Sequence, residues 1–340
     1  MLVTHVAHPT FRVLIVGASG FIGSAVAKQM LSQGVQASYL ARRGSALEGR
    51  PNAVPGDLTD LPSLVSACQG HQTIVNAASF VGFDPSKQHE VNAVGGANLA
   101  IAAERAGASR LVYISSTSVY GGAVSNGARE QLDKLTPRST LNTSRLVAER
   151  ATIDVGGIVL RPHLVYGPGD RFFIPPLLRA MRALGGWIEG GRARVSIISS
   201  ESLARVISEV STDLSPNVGG RVFHAAHPET VTVAQLVESV TQPHAIRLPS
   251  VSYDTGYTLR ALGKMGVTQS QIEMVAKDNW VDSGSLWGLL ATNPGIPIDI
   301  SPAGAAWYES SLVAMPPQAV PHEAKVSALV WDRNKVPGTP

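Results

Sequence analysis

The chain has 340 residues, 44% apolar and only 16% charged, with 28 Lys and Arg against 25 Asp and Glu. That length suits one large domain or a domain with a smaller lobe, and the apolar share supplies a sizeable core, which excludes a disordered or highly solvated chain. The net charge of +3 gathers into no basic stripe, so nucleic acid is not an expected partner. The single Cys68 excludes an internal disulfide and fits a reducing compartment. No apolar run is long enough to span a bilayer, and Met1–Phe11 has no leader pattern, so the expectation is a cytoplasmic protein with no membrane partner.

Strand and helix signals alternate through the first half. Val13–Val16 reads as a buried strand, Phe21–Gln33 as a helix closed by Gly34, and Val35–Ala41 as the next strand. Leu61–Cys68 is helical, with Cys68 packed inside, and Thr73–Ala77 is a short apolar strand. A long helix is expected over His89–Ala106, ending at Gly107, then a strand over Arg110–Ser115, a helix over Thr143–Ile153 and a strand over Gly157–Arg161. This order predicts an α/β fold, a Rossmann-type doubly wound parallel sheet with its ligand at the carboxyl ends of the strands.

After Pro168 the rhythm breaks. Helices are expected over Phe172–Leu184 and Thr232–Val240, and strands over Arg194–Ile198 and Arg221–Ala225. The chain divides on this reading into a dinucleotide-binding domain over 11–168, whose sheet also receives segments near 192–226, and a smaller substrate-binding region over 169–315. Helical spacing over 250–279 (Leu259, Leu262, Met265, Ile272, Met274) predicts a mobile lid, and 316–340 an extended tail.

The strand Val13–Val16 runs into Gly17, Ala18, Ser19, Gly20, Phe21, Ile22 and Gly23. A glycine turn between a strand and a helix brings the backbone close to a pyrophosphate and points the helix N–H groups at it, so these residues are the expected cofactor cradle. An NAD site carries an acid about 20 residues beyond the glycines. No Asp or Glu stands between Gly34 and Leu47; Arg42 and Arg43 follow the second strand instead. Guanidinium groups there hold a 2′-phosphate, which favours NADP (NADPH) over NAD. No metal site is expected.

The chain resembles the extended short-chain dehydrogenase/reductases, the group that includes nucleotide-sugar epimerases and dehydratases. The likeness runs through the Gly17–Gly23 loop, Gly56-Asp57-Leu58, Asn76-Ala77-Ala78, Val91-Asn92 with Gly95-Gly96, Val112–Gly121, Arg161–Gly169 and Trp280–Ser283. The resemblance implies that Asp57 and Leu58 contact the adenine and that Ala77, Ala78 and Ser79 line the middle of the cofactor. It also implies that Ser116 is the catalytic hydroxyl near the substrate carbonyl, and that Pro162, His163 and Leu164 flank the nicotinamide. Thr117 and Ser118 stand where the family's sugar dehydratases carry an Asp-Glu pair.

The family's proton donor is the tyrosine of a Tyr-x-x-x-Lys motif. Aligned through Ser144, Ala148 and Glu149, those two positions are Leu141 and Arg145 here. Leucine moves no proton, and arginine stays charged while still able to hold ribose hydroxyls. A positioned acid or base contributes roughly 10²–10⁴ in rate. Its replacement is another side chain, for which His163 is the best placed, or bulk water, or the substrate itself. A ketone beside a phenolic hydroxyl carries its own proton, and Leu141 then becomes an apolar wall for a ring.

Through the missing pair and the intact NADP loop the chain also resembles atypical ketoreductases of aromatic polyketides such as angucyclinones, enzymes of antibiotic biosynthesis. The leading expectation is an NADPH-dependent ketoreductase acting on a small hydrophobic substrate, with Ser116, Arg145 and His163 at its centre, working as a monomer or homodimer. One alternative is a non-catalytic NADP-binding sensor or scaffold. A second is a nucleotide-sugar epimerase or dehydratase using displaced groups.

Overall fold

A computed structural model describes residues 11–121, 126–130, 135–212 and 218–313. The strands β1 (Arg12–Val16), β2 (Gln36–Ala41), β3 (Ala53–Pro55), β4 (Thr73–Asn76), β5 (Arg110–Ile114), β6 (Ile158–Pro162) and β7 (Val222–Ala225) form one seven-stranded sheet in the order β7-β6-β5-β4-β1-β2-β3. Every neighbouring pair is parallel, as Val13 beside Thr73 and Leu160 beside Phe223 illustrate. The sheet is the Rossmann-type α/β fold that the alternating pattern predicts. Strand order reverses between β1 and β4, so the crevice for a ligand opens there.

Alternation of side chains along each strand sends one set to each face. Val13, Ile15, Val75, Val112, Ile114 and Leu160 pack under α1 (Phe21–Ser32) and a helix over Ser200–Thr212. Leu14, Val16, Ile74 and Leu111 pack under α2 (Leu61–Cys68) and α3 (Gly95–Arg105). Each such side chain contributes about 1.5–3 kcal/mol by leaving water. Cys68 belongs to this second layer, and burial pushes its thiol up to about 11, so it is unreactive. Among the described residues no helix is long and apolar enough to cross a membrane.

Several elements differ from the pattern reading, each for a local reason. The helix expected at Thr143 is α4 (Thr140–Asp154), because Ser139 Oγ accepts the Asn142 N–H at 3.2 Å and starts it a turn earlier. The helix expected over His89–Ala106 opens as a π-helical run over Gln88–Val94. Asn92 on that run is drawn inward, exchanging bonds with the Phe80 backbone and reaching Ser144. The helix expected from Phe172 begins only at Ile174, because the buried Asp170 carboxylate takes the N–H groups of Phe172, Phe173 and Ile174.

Arg194–Ile198 does not join the main sheet as expected. Its backbone bonds to Asp278 and Asn279 instead, leaving two short strands, Arg194–Val195 and Ile197–Ser199, that pair with Val231–Thr232 and Leu164–Tyr166. Of the segments expected near 192–226, only β7 enters the large sheet.

The region over 250–279 forms two helices, α5 (Thr255–Gly263) and α6 (Gln269–Ala276). Their buried Leu262, Ile272 and Val275 join one apolar cluster with Leu177, Leu178 and Met181 of the helix Ile174–Leu184. Leu259, Met265 and Met274 pack against its edge. The tail expected over 316–340 lies outside the described residues.

Candidate active site

The glycine loop sits at the strand-order reversal, between β1 and α1. Gly17 has φ of +87°, and a Cβ there would stand 2.6 Å from the backbone nitrogen of Ala78. A Cβ on Gly23 would strike the Gly17 carbonyl. The loop therefore lies tight against Ala77 and Ala78 at the end of β4. Helix α1 opens at Gly20 with no side-chain cap and no acid in its first turn, which leaves the N–H groups of Phe21 and Ile22 for an anion. Ser19 is exposed on the loop and Ser79 lies exposed beyond β4.

At the carboxyl ends of β2 and β3 a cavity of 570 Å³ is bordered by Arg42, Arg43, Asp57 and Ser63, with Arg50, Glu48 and Asp60 completing the wall. The Glu48 carboxylate accepts the Gly44 N–H at 2.7 Å and closes the arginine loop. Asp57 Oδ1 is held by the N–H and hydroxyl of Thr59, and Leu58 packs against Gly95 and accepts from Asn98. A close-packed glycine cradle at the end of β1, with a cavity rimmed by arginines at the ends of the adjoining strands β2 and β3, fits a dinucleotide. Arg50 and Glu48 lie six or more residues past β2 and carry no motif, so only the folded loop reveals them.

The expected reacting end lies at the tops of β5 and β6. Ser116 caps the short helical turn Thr117–Tyr120, its Oγ accepting the Ser118 N–H at 3.2 Å. Arg145 on α4 points to this turn, and its Nη1 donates to Ser118 Oγ at 3.2 Å. Leu141 is half-buried on the first turn of the same helix, four residues before Arg145 and therefore on the same face. Burial pushes the Arg145 guanidinium below its usual value, and the neighbouring Tyr113 and Glu149 oppose that shift. Pro162 ends β6, Leu164 begins the next short strand, and His163 lies between them.

Thr117 Oγ1 and His163 Nδ1 are 2.6 Å apart. Burial, and then the nearby His224, push the His163 imidazole down to about 4. His163 is thus uncharged near neutrality and turned toward Thr117, away from the role of a protonated acid.

Beneath this end the buried Arg161 forks onto Glu149, with Nε to Oε1 at 3.0 Å. Arg161 Nη1 donates to the Tyr120 hydroxyl at 2.9 Å, which in turn meets His224 Nε2 at 2.8 Å. Tyr166 bonds the backbone of Asp299. The hydroxyls of both tyrosines are thus bonded within this framework. The Arg161–Glu149 pair joins two residues that the sequence motifs contain separately, and no spacing rule links a strand end to the middle of the preceding helix.

Between the helix Ile174–Leu184 and the helices α5 and α6 a small apolar cavity of 40 Å³ is lined by Phe172, Phe173, Leu177, Leu262, Ile272, Met274 and Val275, with Gln271 as its one hydrogen-bonding side chain. Phe172 lies three residues beyond Gly169, which packs on the ring of Phe21 in the cofactor loop.

A model of the NAD dependent epimerase/dehydratase family matches residues 13–225. The chain is 25% identical over 235 residues to the sterol-4-alpha-carboxylate 3-dehydrogenase, decarboxylating, of Bos taurus, which is 65% of this chain and 66% of that protein. To the 2-alkyl-3-oxoalkanoate reductase of Shewanella oneidensis it is 27% identical over 254 residues, 66% of this chain and 64% of the relative. The matches thus span just under two thirds of these curated relatives. Among solved structures, UDP-glucuronic acid 4-epimerase from Bacillus cereus, in complex with NAD, shares the fold with TM-score 0.65 at 17% identity, over 89% of this chain and 99% of that one.

Proposed function

This chain belongs to the NAD dependent epimerase/dehydratase family, and from that premise we propose that it is an NADPH-dependent oxidoreductase reducing the ketone of a hydrophobic, ring-bearing substrate. The observation that carries this reading is the face of α4 on which the half-buried Leu141 stands four residues before Arg145, an apolar side chain where the family's motif puts a phenol. The two curated relatives are named for a sterol carboxylate and a 2-alkyl-3-oxoalkanoate, which are apolar-bodied molecules.

The residues divide the work as follows. The Gly17–Gly23 loop and the start of α1 hold the pyrophosphate, and Arg42 and Arg43 take a 2′-phosphate. Asp57 and Leu58 hold the adenine end, Ala77, Ala78 and Ser79 line the middle, and Pro162 and Leu164 flank the nicotinamide. The bound cofactor supplies the hydride. Ser116 faces the carbonyl, Arg145 holds the ribose end, and Leu141 offers an apolar wall. Because Leu141 cannot transfer a proton and His163 is uncharged, the proton comes from a hydroxyl adjacent to the substrate's ketone or from water. An aromatic polyketide ketone with a neighbouring phenol has this chemistry.

The second reading is a nucleotide-sugar epimerase or dehydratase. The family model and the Bacillus cereus epimerase fold favour it over an aromatic substrate, and it uses the same alcohol–ketone exchange at one carbon. The experiment follows NADPH consumption by absorbance with hydroxy-aryl and alkyl ketones and, because epimerisation and dehydration return the hydride and leave the cofactor unchanged overall, follows UDP- and dTDP-sugars in parallel by chromatography of the products with oxidised cofactor. Turnover of a hydroxy-aryl ketone supports the first reading. Conversion of a sugar nucleotide alone establishes the second, and tight NADPH binding without any turnover leaves a cofactor-binding sensor or scaffold.

A further inference from the structure

Two departures from the family's motifs, Ser118 and Arg145, are joined through a third residue, Asn142. Ser118 Oγ donates to Asn142 Oδ1 at 2.8 Å, while Arg145 Nη1 donates to Ser118 Oγ at 3.2 Å and reaches Asn142 Oδ1 at 3.5 Å. A guanidinium has no acceptor, so the amide must turn its oxygen toward it, and the triangle has one consistent set of proton directions. Backbone geometry holds the amide in place as well, because the Asn142 N–H is the one capped by Ser139 at the start of α4.

The nearest anion does not serve this purpose. Glu149 lies close enough to favour the charged form of Arg145, yet both of its oxygens are engaged by Arg161. The hydrogen-bonding anchors of Arg145 are therefore neutral. Neutral acceptors fix the direction of a guanidinium without cancelling its charge, whereas a carboxylate would do both. Among the described residues only Nη1 of Arg145 has a partner; Nε and Nη2 keep their N–H groups for a ligand.

We propose that Asn142 and Ser118 are positioning residues for Arg145, holding its guanidinium so that Nε and Nη2 meet hydroxyl or alkoxide oxygens at the carboxyl end of β5. The substitution of arginine for the family's lysine thus comes with its own support. Lysine presents a point charge that needs no fixed plane. Arginine is a planar fork whose two free donors are useful only in one orientation. The inference rests on the reading of the glycine-loop crevice as a nicotinamide cofactor site.

The test is a binding cycle on the full-length protein, read by NADPH fluorescence. Asn142→Ala, Ser118→Ala and Arg145→Ala are each expected to weaken NADPH on the order of tenfold. In the Arg145→Ala background the first two are expected to have no further effect, because they act through the guanidinium. Asn142→Asp, which keeps an acceptor at the same place but brings a charge that cancels the guanidinium's, is expected to restore only part of the affinity lost in Asn142→Ala. In an Arg145→Lys background the Asn142→Ala loss is expected to disappear.

Losses that add in the Arg145→Ala background, or affinities that do not change, overturn the proposal. Failure of the unaltered chain to bind NADPH overturns it together with the cofactor reading. An intact cycle with no turnover of any ketone supports it and rejects only the ketoreductase.

Discussion

The hydroxyl of Thr117 and Nδ1 of His163 lie 2.6 Å apart, a contact that ties the turn after β5 to the end of β6. The imidazole is held down to about 4, by burial first and by His224 second, against an ordinary value of 6.5. Between those two values the unfolded chain binds a proton that the folded chain refuses, so stability falls as pH drops from 6.5 toward 4. Full expression of the shift is worth about 3 kcal/mol. Urea unfolding at pH 7 and pH 4.5 is expected to show a smaller loss for His163→Gln than for the unaltered protein. Equal losses would mean that His163 titrates normally. The same shift predicts that the rate of ketone reduction shows no step near pH 6.5 arising from His163.

A second expectation concerns the buried fork between Arg161 and Glu149. Removing one member strands the other charge where water cannot reach it, which costs about 3–5 kcal/mol. Glu149→Gln is expected to lower stability by an amount in that range, measured by urea unfolding. Arg161→Met combined with Glu149→Leu is expected to recover most of the loss, since replacing the whole pair removes both desolvation costs. A double variant as unstable as the single one would show that Tyr120, which shares Arg161, is the member that matters.

The sheet and the glycine cradle were legible because each is encoded within a short window. Val13–Val16 followed by Gly17, Gly20 and Gly23 states strand, turn and helix in twelve residues with Arg12. Contacts made across the fold left no such signature. Asp170, which starts the helix at Ile174, reads as an ordinary loop acid until its carboxylate is seen bonding three successive N–H groups. His163 looks in sequence like a free imidazole at a useful place, and only packing beside Thr117 and His224 removes its charge. Arg194–Ile198 has a strand pattern, and which partner it takes was decided by Asn279, far along the chain.

Cofactor choice should rest on the arginine loop. Arg42 and Arg43 border the 570 Å³ cavity, and nothing in β2 supplies an acid for a free ribose 2′-hydroxyl. Losing charge-assisted bonds to a phosphate costs about 1.5–3 kcal/mol each. The Arg42→Ala, Arg43→Ala double variant is therefore expected to bind NADPH about 10²–10⁴-fold more weakly, with NADH changed by less than about threefold. Fluorescence titrations with the two reduced cofactors decide it. A parallel loss for both would assign the arginines to loop structure, where Glu48 already ties the backbone at Gly44.

Restoring a phenol gives the most direct reading of the proton's origin. Leu141 and Arg145 share one face of α4, so Leu141→Tyr places a hydroxyl where the family keeps its acid. If the substrate provides its own proton, ketones with an adjacent hydroxyl have little to gain from that hydroxyl. Alkyl or aryl ketones lacking it should gain most, about 10²-fold at the lower end of what a positioned acid contributes. The measurement is kcat/KM on matched ketones with and without the neighbouring hydroxyl, for the unaltered protein and the variant. An equal gain on both classes would sink the self-protonating substrate, because the enzyme's missing acid would then limit every reaction alike. A gain confined to the bare ketones would mean that the leucine is tolerated only because the natural ligand carries the proton with it.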